Sequence, residues 1–182
     1  MDVGLLAEVR FRYVHGSIKF LLSMWTKYSG VLMDSEEEVR KEARDVLERL
    51  GYECDELRPV TTWCGRDRHD DQANIVVYVE FRGCREPFCV VETKAPEEGV
   101  DRPEWVNQAR SYAFWVRGMV VPLTPFFAVY NGRRAALYET ITGNRKKTGS
   151  SLRDVMPPLE EAGKVLERFL SGLSSAYGGE KE

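Results

Sequence analysis

Apolar positions recur along this chain with two periods. Between Val3 and Met33, Leu5, Leu6, Val9, Tyr13, Phe20, Leu21 and Met24 fall at helical spacing, with Gly16 and Gly30 as weak points. This stretch reads as one helix or two short ones, serving as a cover for the core or as the arm of a homodimer. A second helix opens at Asp34-Ser35-Glu36-Glu37-Glu38, where Asp34 or Ser35 can cap and first-turn acids suit the helix dipole. Its inward stripe is Val39, Ala43, Val46, Leu47 and Leu50, and Gly51 ends it. At about 100° per residue Glu36 falls near that stripe, whereas Glu37 and Glu38 fall off it. Glu36 is therefore the acid that can look inward; the alternative is that all three only cap the helix.

The period then shortens to two. Strands are expected over 56–63, where Pro59 suggests an edge, over 73–81 and over 88–94. A polar loop, 64–72, separates the first two, and a turn over 82–87 makes the last two an antiparallel hairpin. A turn centred between Gly83 and Cys84 places position 74 opposite about 93. Asn74, Glu92 and Lys94 then converge on one face. A helix follows over 101–117 with Pro103 near its start and Trp105, Ala109, Tyr112, Ala113 and Val116 along one face. Gln108 and Tyr112 stand side by side on it. A strand over 125–130, the turn Asn131-Gly132 and a strand over 134–139 come next. A polar basic loop over 140–151, a closing helix over 158–173 and a frayed tail complete the pattern. The fold class is α/β (α+β), with a mixed central sheet of roughly four to five strands flanked by helices. Residues 1–33 form an extension and 34–182 the main domain.

The chemistry concentrates in Val90-Val91-Glu92-Thr93-Lys94-Ala95-Pro96. Alternation along a strand points Glu92 and Lys94 the same way, at the end of an apolar run. A carboxylate beside an ammonium is costly in a core and useful for phosphodiester hydrolysis. That reaction needs an oxygen ligand for a divalent metal and a cation near the attacking water.

Composition narrows the choices. With 43% hydrophobic and 30% charged residues the 182-residue chain can bury one real core. A net charge of −3 means that nucleic acid would be met by local patches, of which Arg133, Arg134, Arg145, Lys146 and Lys147 form one and Arg66, Arg68 and His69 another. The four cysteines form no C-x-x-C pair and only two histidines are present, which argues against a structural zinc site. No apolar run spans a bilayer and no signal-peptide layout opens the chain, so a cytoplasmic protein without membrane contact is expected.

The order of elements, with Glu36-Glu37-Glu38-Val39-Arg40, Leu50-Gly51-Tyr52, Ala73-Asn74-Ile75-Val76-Val77-Tyr78, Val91-Glu92-Thr93-Lys94-Ala95-Pro96, Gln108-Ala109-Arg110-Ser111-Tyr112 and Tyr130-Asn131-Gly132, resembles the PD-(D/E)xK nuclease fold. More narrowly it resembles the N-terminal nuclease domain of type I restriction enzyme R subunits, over residues 35 to 138. The resemblance implies a restriction-endonuclease-like core and a DNA endonuclease that uses Mg²⁺ or Mn²⁺, with DNA and restriction-system subunits as partners. Glu92 would be the principal metal ligand and Lys94 would orient water and stabilise the phosphorane. Glu36 would be an auxiliary acid or would support the metal ligands from outside, while Gln108 and Tyr112 would brace the site or touch the DNA backbone. In that family the strand before E-x-K begins Ala-Asp-Ile-Val; here the Asp position holds Asn74, whose amide oxygen can coordinate Mg²⁺ but brings no charge. Asp70 or Asp71 could replace it, with Asp71 entering the metal shell through a bulge. A second reading is a non-catalytic protein of the same fold that binds nucleic acid or a restriction partner, and a third is a structural assembly subunit using the N-terminal helix and the aromatic surface around Trp105, Phe114 and Trp115. The chain carries no G-x-x-x-x-G-K-[ST] loop, so it does not itself translocate DNA with ATP.

Overall fold

The chain divides into two units, residues 1–33 and 34–182. The structure, a computed structural model, describes residues 35–57 and 74–177. The proposed N-terminal helices, Asp70, Asp71 and the Arg66–His69 patch lie outside the described residues.

The described elements run α1 (Glu36–Arg49), β1 (Glu53–Leu57), β2 (Asn74–Phe81), β3 (Cys84–Thr93), α2 (Pro103–Trp115), β4 (Phe126–Tyr130), β5 (Ala135–Glu139), β6 (Arg145–Gly149), α3 (Leu152–Val155) and α4 (Leu159–Tyr177). The strands make one six-stranded sheet in chain order, antiparallel throughout except for the parallel pair β3–β4. The class is α+β with a mixed sheet, as expected, and one strand larger than expected. That strand is β6, which occupies the middle of the proposed 140–151 loop. Arg145, Lys146, Lys147 and Thr148 are all exposed, so the strand has no apolar face to announce it. Among the described residues it pairs with β5 alone, and its charges suit a sheet edge.

The β2–β3 hairpin is tighter than the pattern suggests. Its turn is Arg82-Gly83, both at positive φ (53° and 74°), with Phe81 paired to Cys84. Glu86 and Pro87, expected in the turn, lie within β3. Proline has no N–H for the ladder, and the register shifts beside it: Tyr78 pairs with Pro87 but Val77 with Cys89, leaving Phe88 as the extra residue of a bulge. Below the bulge Ile75 faces Val91, so continuing the register puts position 74 across from Glu92, one residue from the expected partner.

Parallel pairing of β3 with β4 needs a crossover, and α2 supplies it. Ala109 and Ala113 of α2 pack on Val76, Val90, Phe127, Val129, Ala136 and Tyr138 of the sheet. Because side chains alternate, Val91, Thr93, Ala128 and Tyr130 face the other way. There the Tyr130 hydroxyl donates to the Glu42 carboxylate of α1 at 2.5 Å. Val39, Ala43 and Leu47 are the buried residues of α1, and Ser35 caps it by accepting from Glu38 N–H at 3.3 Å. α4 continues to Tyr177, past the tail expected to fray from Ser174.

Candidate functional site

The C-terminal ends of the parallel strands β3 and β4 lie side by side, with Glu92 opposite Val129 and Thr93 opposite Tyr130. The ladder extends one residue further, since Lys94 N–H donates to the Tyr130 carbonyl at 2.9 Å. This fixes the backbone of the Glu92–Lys94 segment at the edge of the core. Glu92 is 1% exposed and Lys94 8%. Alternation with Val90 turns both toward the α2 side, and the Lys94 ammonium lies 2.6 Å from Glu92 Oε1. It also stands 3.8 Å from Glu36 Oε1, a side chain 41% exposed in the first turn of α1. The ring of Trp105, in the first turns of α2, closes a third side at 4.3 Å from Nζ.

Two neighbours hold this arrangement. Asn131, buried in the β4–β5 turn, accepts from the N–H groups of Arg133 and Arg134 at 3.0 and 2.8 Å. Its amide donates to the carbonyls of Glu98 at 2.7 Å and Pro96 at 3.4 Å. One side chain thus ties the loop after Lys94 to the turn after β4. The Tyr130–Glu42 bond anchors α1, which carries Glu36. Burial, then the Glu42 carboxylate, raises the Tyr130 phenol above its ordinary range, so it stays a donor.

No protein-family model, curated protein or solved structure matches this chain.

Glu92, Lys94 and Glu36 are brought together as the sequence suggests. Position 74 is in register with Glu92, but the Asn74 side chain and all of Asp71 lie outside the described residues. Gln108 is half-buried and Tyr112 packs against the core under α2; neither side chain makes a hydrogen bond among the described residues. Sequence reasoning missed Trp105 and Asn131. Trp105 reads as one more apolar residue of the α2 stripe, and Asn131-Gly132 reads as a turn and as part of the resemblance, with no role for the Asn131 side chain. The spacing of Asn131 after an apolar strand gives no hint of the loop it clamps. The basic patch is split: Arg134 and Arg145 both lean on Asp101, at 3.8 and 2.8 Å, and Lys146 on Glu139 at 3.7 Å. Among the described residues no helix is long and apolar enough to cross a membrane.

The donor set can be tested against a divalent ion. Among the described residues no group of three or more His, Cys, Asp or Glu side chains could hold a metal. Mg²⁺ needs less, because one or two carboxylates suffice when waters and substrate phosphates complete its octahedron. Glu92 and Glu36, meeting at one ammonium, fit such a partial site. They do not make an all-protein cage.

Proposed function

We propose that this chain is a metal-dependent DNA endonuclease-like domain of the PD-(D/E)xK type. The observation that carries the reading is the Glu92–Lys94 pair, held at 2.6 Å and almost fully buried where β3 and β4 end. A pair formed only for stability would be at least as well replaced by apolar side chains, since desolvating both ions offsets most of their attraction. The element order of helix, three antiparallel strands, helix and parallel strand supports the same reading.

In this reading Glu92 would hold a Mg²⁺ ion, with the side-chain amide oxygen of Asn74 and Glu36 as further oxygen donors. When bound, the ion supplies Lewis-acid stabilisation of the phosphoryl oxygens and a more acidic water. Lys94 orients the attacking water and offsets negative charge on the pentavalent phosphorus. Trp105 and the strand end exclude bulk water from one side of the ammonium. Cleavage of plasmid and single-stranded DNA with Mg²⁺ or Mn²⁺ tests this. Lys94→Ala is expected to lose about a hundredfold or more of the rate. A wild-type protein without cleavage, or Lys94→Ala as active as wild type, overturns it.

One observation favours a second reading, a non-catalytic protein of this fold that binds nucleic acid or a restriction partner. The residue in register with Glu92 is Asn74, which lowers the negative charge a hard cation seeks. Asn74→Asp separates the two: it gains Mn²⁺ affinity and cleavage if the natural protein is a weakened enzyme, and gains neither if the fold serves binding alone.

A further inference from the structure

Glu92 and Glu36 reach the same point from a strand and a helix, and what stands at that point is the chain's own ammonium. A divalent cation and an ammonium cannot both sit against the same two carboxylates without strong mutual repulsion in a largely buried place. Either the ion is excluded or the ammonium moves. Lys94 can move, because its charge rides on four rotatable carbons. The third group around it shows where it would go. Trp105 offers its ring face at 4.3 Å, and an indole face attracts a cation more strongly once water is excluded. The ring is itself held by its edge: Nε1–H donates to Glu98 Oε2 at 3.4 Å, and Arg102 binds the same carboxylate. The Glu98 carbonyl is in turn fixed by Asn131.

Resting on the metal-site reading above, we propose that the Lys94 ammonium is the resting counter-ion of Glu92 and Glu36, competing with a divalent cation for them, and that the Trp105 ring holds the displaced ammonium. Lys94 thus guards the acids in the empty site and remains beside the reacting phosphate in the loaded one. Trp105 is a positioning residue that acts through Lys94. Its contact matters more in the loaded state, where the carboxylates no longer hold the ammonium.

The test is Mn²⁺ binding to the full chain without DNA, read by the loss of free-ion electron paramagnetic resonance signal. Lys94→Met should bind Mn²⁺ about tenfold more tightly than wild type while losing cleavage. Trp105→Leu should weaken binding severalfold, Trp105→Phe should largely retain it, and Trp105→Leu added to Lys94→Met should change nothing further. The Mn²⁺-induced rise in melting temperature, larger in Lys94→Met than in wild type, gives the same answer on protein shown to be folded. Lys94→Met binding no tighter than wild type overturns the proposal, as does a Trp105→Leu effect that persists without Lys94. If neither wild type nor Lys94→Met binds Mn²⁺ the proposal also fails; DNA cleavage by the wild type then decides separately whether the nuclease reading survives.

Discussion

Glu86 and Glu92 lie six positions apart on β3, both are buried, and their surroundings give them different work. Glu86 is saturated by backbone: Oε1 accepts from Met119 and Val120 N–H at 3.0 and 2.9 Å, and Oε2 from Val121 N–H at 3.0 Å. Glu92 instead faces a side-chain cation that can leave. Glu86→Ala would strand three donors beneath the 118–121 loop, at a cost of about 3 kcal/mol or more in urea unfolding. Gly118→Ala should be similarly harmful, because a Cβ there would come within 1.7 Å of Glu86 Oε2 and 2.6 Å of Pro87 Cδ. A change under 1 kcal/mol in both variants (roughly the effect of an ordinary surface substitution) would contradict this account. None of this was legible in the sequence, where Glu86 reads as a turn residue. Its partners are main-chain groups some thirty residues away, which carry no side-chain signature.

At the scale of elements, what could be read ahead of the structure follows from which faces are apolar. α1 is described within one or two residues of its expected limits, because its stripe, its Ser35 cap and Gly51 agree. β1 is placed too late, over 56–63 rather than from Glu53, because Cys54 is buried there among the exposed acids Glu53, Asp55 and Glu56. β6 is missed because none of its side chains is buried. The hairpin register is off by one residue because Pro87, a turn signal in isolation, sits inside a strand beside a bulge. The candidate pair survives that error. Glu92 and Lys94 belong to one strand, so their common orientation depends on alternation and not on pairing. Glu36 was legible for a similar reason, from its angle to the α1 stripe. The contribution of Trp105 was not, since it serves the core and the ammonium with the same ring.

For the molecule as a whole, the buried neutral acids set its response to alkali. Burial raises the thiols of Cys54, pushed up to about 12, and Cys89, and the phenols of Tyr52, Tyr130 and Tyr138, the last to about 12. Ordinary values are 9.0 for the thiols and 10.0 for the phenols. Between those values and the folded ones the unfolded chain has released protons that the folded chain keeps, so stability falls as pH rises. Their contribution is complete below pH 9 and is lost progressively up to about pH 12 and beyond. Urea midpoints measured from pH 8 to 11 should decline steadily above pH 9; a flat profile would show that these groups are not buried as described. The sheet's connectivity has a consequence of another kind. Among the described strands the parallel neighbours, β3 and β4, are separated in the chain by the whole of α2, whereas the flanking ribbons β2–β3 and β4–β6 close through short turns. Loop-closure entropy therefore favours two independent ribbons early in folding, with their junction forming only once the crossover has docked. Glu92 and Lys94 lie on that junction, so the candidate site would be among the last parts of the molecule to take shape.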